Sequence, residues 1–84
     1  MTKKEVWGIE YQLLYDFFLT QPDVIHTENG SFQFKSCRIH IELLSESILG
    51  SLHLPRTSIE FSGESHDVTL IYHRFFMRFL SAGG

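Results

Sequence analysis

The dipeptide Asn29-Gly30, set between Val24-Ile25 and Phe32-Gln33-Phe34, constrains this chain more than any other feature. A two-residue connection of this composition is the strongest short-range signal for a β-hairpin, because a type I′ turn needs positive φ at both central residues. Residues 24–35 are therefore read as two antiparallel strands, with Phe32 and Phe34 sharing one face of the second. Immediately afterwards Cys37, Ile39, Ile41 and Leu43 alternate with Arg38, His40 and Glu42, which predicts a half-buried strand. The two apolar sets have opposite parity. One regular strand over 31–43 would put them on opposite faces. One long strand bent by a bulge at Lys35-Ser36 is the favoured solution, and a turn there is the alternative. A short strand is expected over Thr57–Ser62, with Ile59 and Phe61 opposite Glu60 and Gly63 as its breaker.

Helical spacing brackets these strands. Val6, Ile9, Leu13, Leu14, Phe17 and Phe18 predict a helix over 5–19, with Thr2 and Glu5 as a capping box and Pro22 as its stop. Val68, Ile71, Tyr72, Phe75, Phe76 and Phe79 predict a final helix, with Ser65 as N-cap and Asp67 where the helix dipole favours an acid. Between them, Ser45–Gly50 suits a single helical turn and 52–55 an extended linker. The expected order is α-β-β-β-β-α in one domain over 1–84. That predicts an α+β two-layer sandwich: an antiparallel sheet of three to four strands with the N- and C-terminal helices on one face. With 84 residues the core is modest, but eight Phe, three Tyr and one Trp can fill it.

Charge and composition narrow the function. Net charge is −3 and the seven basic residues are scattered, which argues against a nucleic-acid module. No apolar run approaches the roughly 20 residues needed to span a bilayer, so no membrane association is expected. The opening MTKKEVWGIEYQ meets Glu5 and Glu10 before any long apolar stretch and does not read as a signal peptide. Cys37, the sole cysteine, permits no internal disulfide, so a cytoplasmic protein is expected.

The residue spacings assemble no catalytic or metal-binding set. His26, His40, His53, His66 and His73 do not converge with Cys37, so neither metal nor cofactor is expected. Cys37 lies on the apolar side of its strand, where a cysteine behaves as a small inert hydrophobe. Glu42 and Glu60 are expected to face each other across neighbouring strands. The expectation is thus a non-enzymatic protein-binding or regulatory domain, capable of homodimerisation. Its interface would be the excess apolar surface of the last helix with the basic strip beside it: Arg74, Phe76, Met77, Arg78 and Leu80. A second reading is a small-ligand domain, with an aromatic pocket between helices and sheet and Arg74 or Arg78 at its mouth.

The segment Ala82-Gly83-Gly84 supports a third reading, because it resembles the end of ubiquitin-like sulfur carriers and modifiers. In those proteins a free diglycine carboxylate enters an adenylating enzyme and becomes a thiocarboxylate or an isopeptide. Glycine suits a narrow channel because it has no Cβ. The resemblance implies that Gly83 and Gly84 carry the function. It also implies a final strand leading into the tail and a β-grasp hairpin at the start, whereas the spacing here predicts a helix in both places.

Overall fold

A single positive φ shapes the Asn29-Gly30 connection in the computed structural model, which describes residues 1–80. Gly30 has φ 79°, while Asn29 stays at negative φ. The turn is therefore not type I′. The register instead slips between His26 and Glu28, and this bulge lets one left-handed residue close the hairpin. A Cβ on Gly30 would lie 2.9 Å from the Ile41 carbonyl oxygen, so that position also needs its glycine for close approach.

Around this hairpin run β1 (Thr2–Trp7), α1 (Tyr11–Thr20), β2 (Val24–Glu28), β3 (Ser31–Phe34), β4 (Cys37–Leu43), β5 (Ser47–Leu49), β6 (Leu52–Leu54), β7 (Thr57–Ser62) and α2 (Ser65–Phe79). The main sheet has five strands in the order β1-β7-β4-β3-β2, with every neighbouring pair antiparallel. The α+β sandwich with both helices on one sheet face is as expected, but the strand count and element order are not.

Three local expectations are corrected. Residues 2–7 form a strand, so Thr2 and Glu5 cap no helix and α1 begins only at Tyr11. The segment pairs along the free edge of β7, and that pairing outweighs the helical spacing of Val6 and Ile9. Lys35 and Ser36 form a turn, with Lys35 at φ 54°, rather than a bulge in one long strand. The turn resolves the parity conflict: Phe32 faces Ile39 and Phe34 faces Cys37, all on the helix side. Finally, 47–54 is a second hairpin turning at Gly50, φ 64°, not a helical turn and linker.

The core is an aromatic seam. Phe18 of α1, Phe61 of β7 and Phe75 of α2 are fully buried, with centroids 6.3 Å (Phe18–Phe61), 6.3 Å (Phe18–Phe75) and 5.8 Å (Phe61–Phe75) apart. Phe32 reaches Phe18 at 5.6 Å, and Phe79 reaches Phe17 at 5.3 Å. Offset and edge-to-face pairs of this kind contribute about 0.5–1.5 kcal/mol each beyond area burial. Gly63 sets how closely the chain leaving β7 passes the β3–β4 turn. Its φ is 156°, and a Cβ there would meet the Ser36 carbonyl oxygen at 2.6 Å and the Cys37 Cα at 2.8 Å.

Two substitutions test this packing. Phe75→Ala should cost about 3–5 kcal/mol in urea denaturation, because it leaves a cavity at the centre of the seam. Gly63→Ala should cost about 1–3 kcal/mol through backbone strain and the clash. A Gly63→Ala protein as stable as wild type would show that the close approach is not needed.

Candidate functional site

Helix α2 carries the residues expected to bind a partner, but the structure sends them to different flanks. At 3.6 residues per turn, Val68, Ile71, Phe75 and Phe79 form the buried stripe. Arg74 and Arg78 lie on the flank towards α1. The Arg74 guanidinium donates to the Pro22 carbonyl at 3.2 Å and sits 5.0 Å from the Phe34 ring centroid. Arg74 thus ties α2 to the α1–β2 connection. Arg78 lies over the Phe79 ring at 5.3 Å and lines a shallow groove of about 280 Å³ between the helices. Phe76 is on the opposite flank, edge-on to Trp7 at 6.0 Å and stacked on Tyr72 at 6.0 Å. Of the apolar candidates, Met77 and Leu80 are the exposed ones, at 58% and 54%.

A polar lock that sequence reasoning missed holds this helix to the edge strand. Glu5 Oε1 accepts hydrogen bonds from Trp7 Nε1 at 2.8 Å and from the Tyr72 hydroxyl at 2.9 Å. The Lys3 ammonium lies 3.6 Å from the same carboxylate and 4.4 Å from the Tyr72 ring centroid. Lys3, Glu5 and Trp7 alternate in sequence, and that period of two was the available signal. Partial burial raises the Glu5 pKa, but the Trp7 and Tyr72 hydrogen bonds and the Lys3 charge outweigh it and hold the carboxyl below its usual range. Burial and the bond to Glu5 push the Tyr72 phenol up to about 12.

The start of α2 is held as well. Asp67 is buried, and its carboxylate accepts the Ser36 backbone N–H at 3.1 Å. Ser36 Oγ accepts the Glu64 N–H at 3.0 Å. Glu64, not Ser65, is the N-cap residue, with no side-chain cap of its own. Hydrogen bonding to Ser36 lowers the Asp67 pKa.

The remaining candidates disperse. His26 pairs with the Tyr15 hydroxyl at 2.7 Å, His40 with Ser31 Oγ at 2.9 Å, and His53 with Glu46 at 3.4 Å. Among the described residues, no group of three His, Cys, Asp or Glu side chains could hold a metal ion. Cys37 is buried, and desolvation pushes its thiol pKa up, away from the reactive thiolate. Glu60 lies opposite His40, and Glu42 opposite Ser58, so the two glutamates are not the direct pair expected. Phe and Tyr rings pack into one another between helices and sheet. Besides the groove at Arg78, there is a surface cleft of about 450 Å³ whose lining includes Tyr11, Leu43, His53 and Pro55. No helix among the described residues is long and apolar enough to cross a membrane. Gly83 and Gly84 lie outside the described residues.

The pKa shifts set a stability profile. Asp67 and Glu5 have folded values below their ordinary 3.8 and 4.5. Their contributions are therefore present above those values and lost as pH falls through the folded ones. Tyr72 is raised from 10.0 to about 12, so its contribution is present below pH 10 and lost as pH rises towards 12. Urea midpoints should hold through neutral pH and fall on both sides. Tyr72→Phe should cost about 1 kcal/mol at neutral pH and shrink the alkaline fall. An unchanged alkaline limb in that variant would contradict the lock.

The order of elements departs from ubiquitin-like expectation at both ends, since β1 leads directly into α1 and α2 precedes residue 80. The comparison with known proteins nevertheless covers nearly the whole chain. No curated protein matches it. A family model described as archaeal MoaD-like protein matches residues 2–84, with Gly83 and Gly84 inside the match, and the chain belongs to that family.

Proposed function

We propose that this chain is a small carrier protein of the MoaD type, working through the carboxylate of Gly84. The observation that carries this reading is the family match over 2–84, which includes the Ala82-Gly83-Gly84 segment. The sequence beyond α2 suits the task. Leu80-Ser81-Ala82-Gly83-Gly84 contains no charged side chain, and none larger than Ser after Leu80. The four residues after Leu80 span at most about 14 Å when extended, enough for the Gly84 carboxylate to enter a partner's channel while Leu80 stays outside.

The chemistry follows from the carboxylate. A Gly84 oxygen attacks the α-phosphorus of ATP in an adenylating partner, and pyrophosphate leaves. Hydrosulfide then attacks the acyl carbon of the adenylate, the bond to AMP breaks, and loss of the remaining S–H proton leaves a thiocarboxylate. Glycine at 83 and 84 removes the Cβ atoms that would obstruct the channel. The carrier supplies the reacting group and a docking surface, and the partner supplies the catalysis. Docking falls naturally to the exposed Met77 and Leu80 with Arg78 beside them. The protein-binding surface expected on α2 thus becomes a part of the carrier role. Arg74 and Phe76 hold the helix in place behind it.

The full chain, mixed with an adenylating enzyme from the same organism, should support ATP–pyrophosphate exchange. Removing Gly83 and Gly84 should abolish exchange while leaving thermal unfolding unchanged. Met77→Glu should raise the concentration needed for half-maximal exchange about tenfold, equivalent to ~1.4 kcal/mol of docking. Exchange that persists without the two glycines would sink the proposal.

A further inference from the structure

The β5–β6 hairpin is the most exposed apolar element of the described fold. It forms its own two-stranded sheet, joined to the body through a neck where the Leu44 N–H donates to the Arg56 carbonyl at 3.0 Å. The register pairs Ser47 with Leu54, Ile48 with His53 and Leu49 with Leu52. Alternation therefore puts Leu49, Leu52 and Leu54 on one face, and these are 65%, 61% and 41% exposed. Ile48, 62% exposed, lies on the other face beside His53.

Two observations identify what covers the leucine face. The first is charge. Residues 47–55 read SILGSLHLP, the longest stretch of the chain without Asp, Glu, Lys or Arg. Exposed hairpin edges are ordinarily protected by lysine, proline or inward-pointing charge. Here the strands themselves carry no such device. A neutral apolar face is complementary to itself, whereas the charged surface of a chain with net charge −3 repels its own copy. The second is size. An isolated two-stranded hairpin is marginal in water unless a face is covered. Side chains exposed to this degree present on the order of 100 Å² of apolar surface each. Three leucines per copy bury about 600 Å² in total in a two-fold pairing, the size of a weak, concentration-dependent contact rather than a permanent dimer.

We propose that the β5–β6 hairpin is a self-association site, at which two copies of this chain pack Leu49, Leu52 and Leu54 face to face about a two-fold axis. The pairing is isologous, each copy offering the same three leucines. It is separate from the tail chemistry and uses none of the α2 residues assigned to partner docking.

Size-exclusion chromatography with light scattering, run from low micromolar to several hundred micromolar, tests this on the full chain. Wild type should pass from monomer to dimer mass across that range. A Leu49→Lys/Leu52→Lys double variant should stay monomeric throughout, with wild-type circular dichroism because both positions are exposed. Met77→Lys on α2 should dimerise as wild type does. A wild type that is monomeric at every concentration overturns the proposal. So does a dimer that survives the double lysine variant or is lost in Met77→Lys.

Discussion

The contact of Phe75 with Phe18 and Phe61 is the constraint on which the rest of the structure depends. A chain of 84 residues has little interior, and this seam joins both helices to strand β7 of the sheet at one point. Everything around it serves to keep the three rings in register. The β3–β4 turn brings Phe32, Phe34, Cys37 and Ile39 to one face, while β1 and β4 flank Phe61 with Lys3 and Ile39. Aromatic rings suit so small a core because each removes roughly 150–250 Å² from water for only two side-chain torsions.

Polar contacts then orient what the seam holds. Asp67 with Ser36 fixes the start of α2 over the β3–β4 turn, Glu5 with Tyr72 fixes its middle to the edge strand, and Arg74 fixes its far flank to Pro22. A helix fastened along its length is a rigid surface of the described fold. Met77 on its outer side and Leu80 at its C-cap stay exposed.

Much of this was legible in the sequence, and the failures share a cause. The β2–β3 hairpin, β4, β7 and the buried stripe of α2 were readable because pattern and pairing agree within each segment. The strand at 2–7 was not, since Val6 and Ile9 imitate helical spacing and only the distant β7 edge decides the matter. The β5–β6 hairpin was missed because the adjacent Ile48 and Leu49 break strict alternation and both faces stay exposed, so no core face marked it. At the site, Arg74 and Phe76 were expected at an interface. Their positions on α2 were correct, but the partners that occupy them, Pro22 and Trp7, come from segments 52 and 69 residues away. The Ala82-Gly83-Gly84 segment is plain in the sequence, but three residues specify no family, whereas the family match extends over residues 2–84.

The carrier reading makes a covalent claim about one atom group, the carboxylate of Gly84. Intact-mass spectrometry of the protein purified from the cells that naturally make it addresses that claim without any choice of partner. A fraction should carry the mass of one carboxylate oxygen replaced by sulfur, or of a conjugate, with fragmentation placing the change at Gly84. A population consisting only of the unmodified carboxylate, under conditions where sulfur transfer is active, would contradict it.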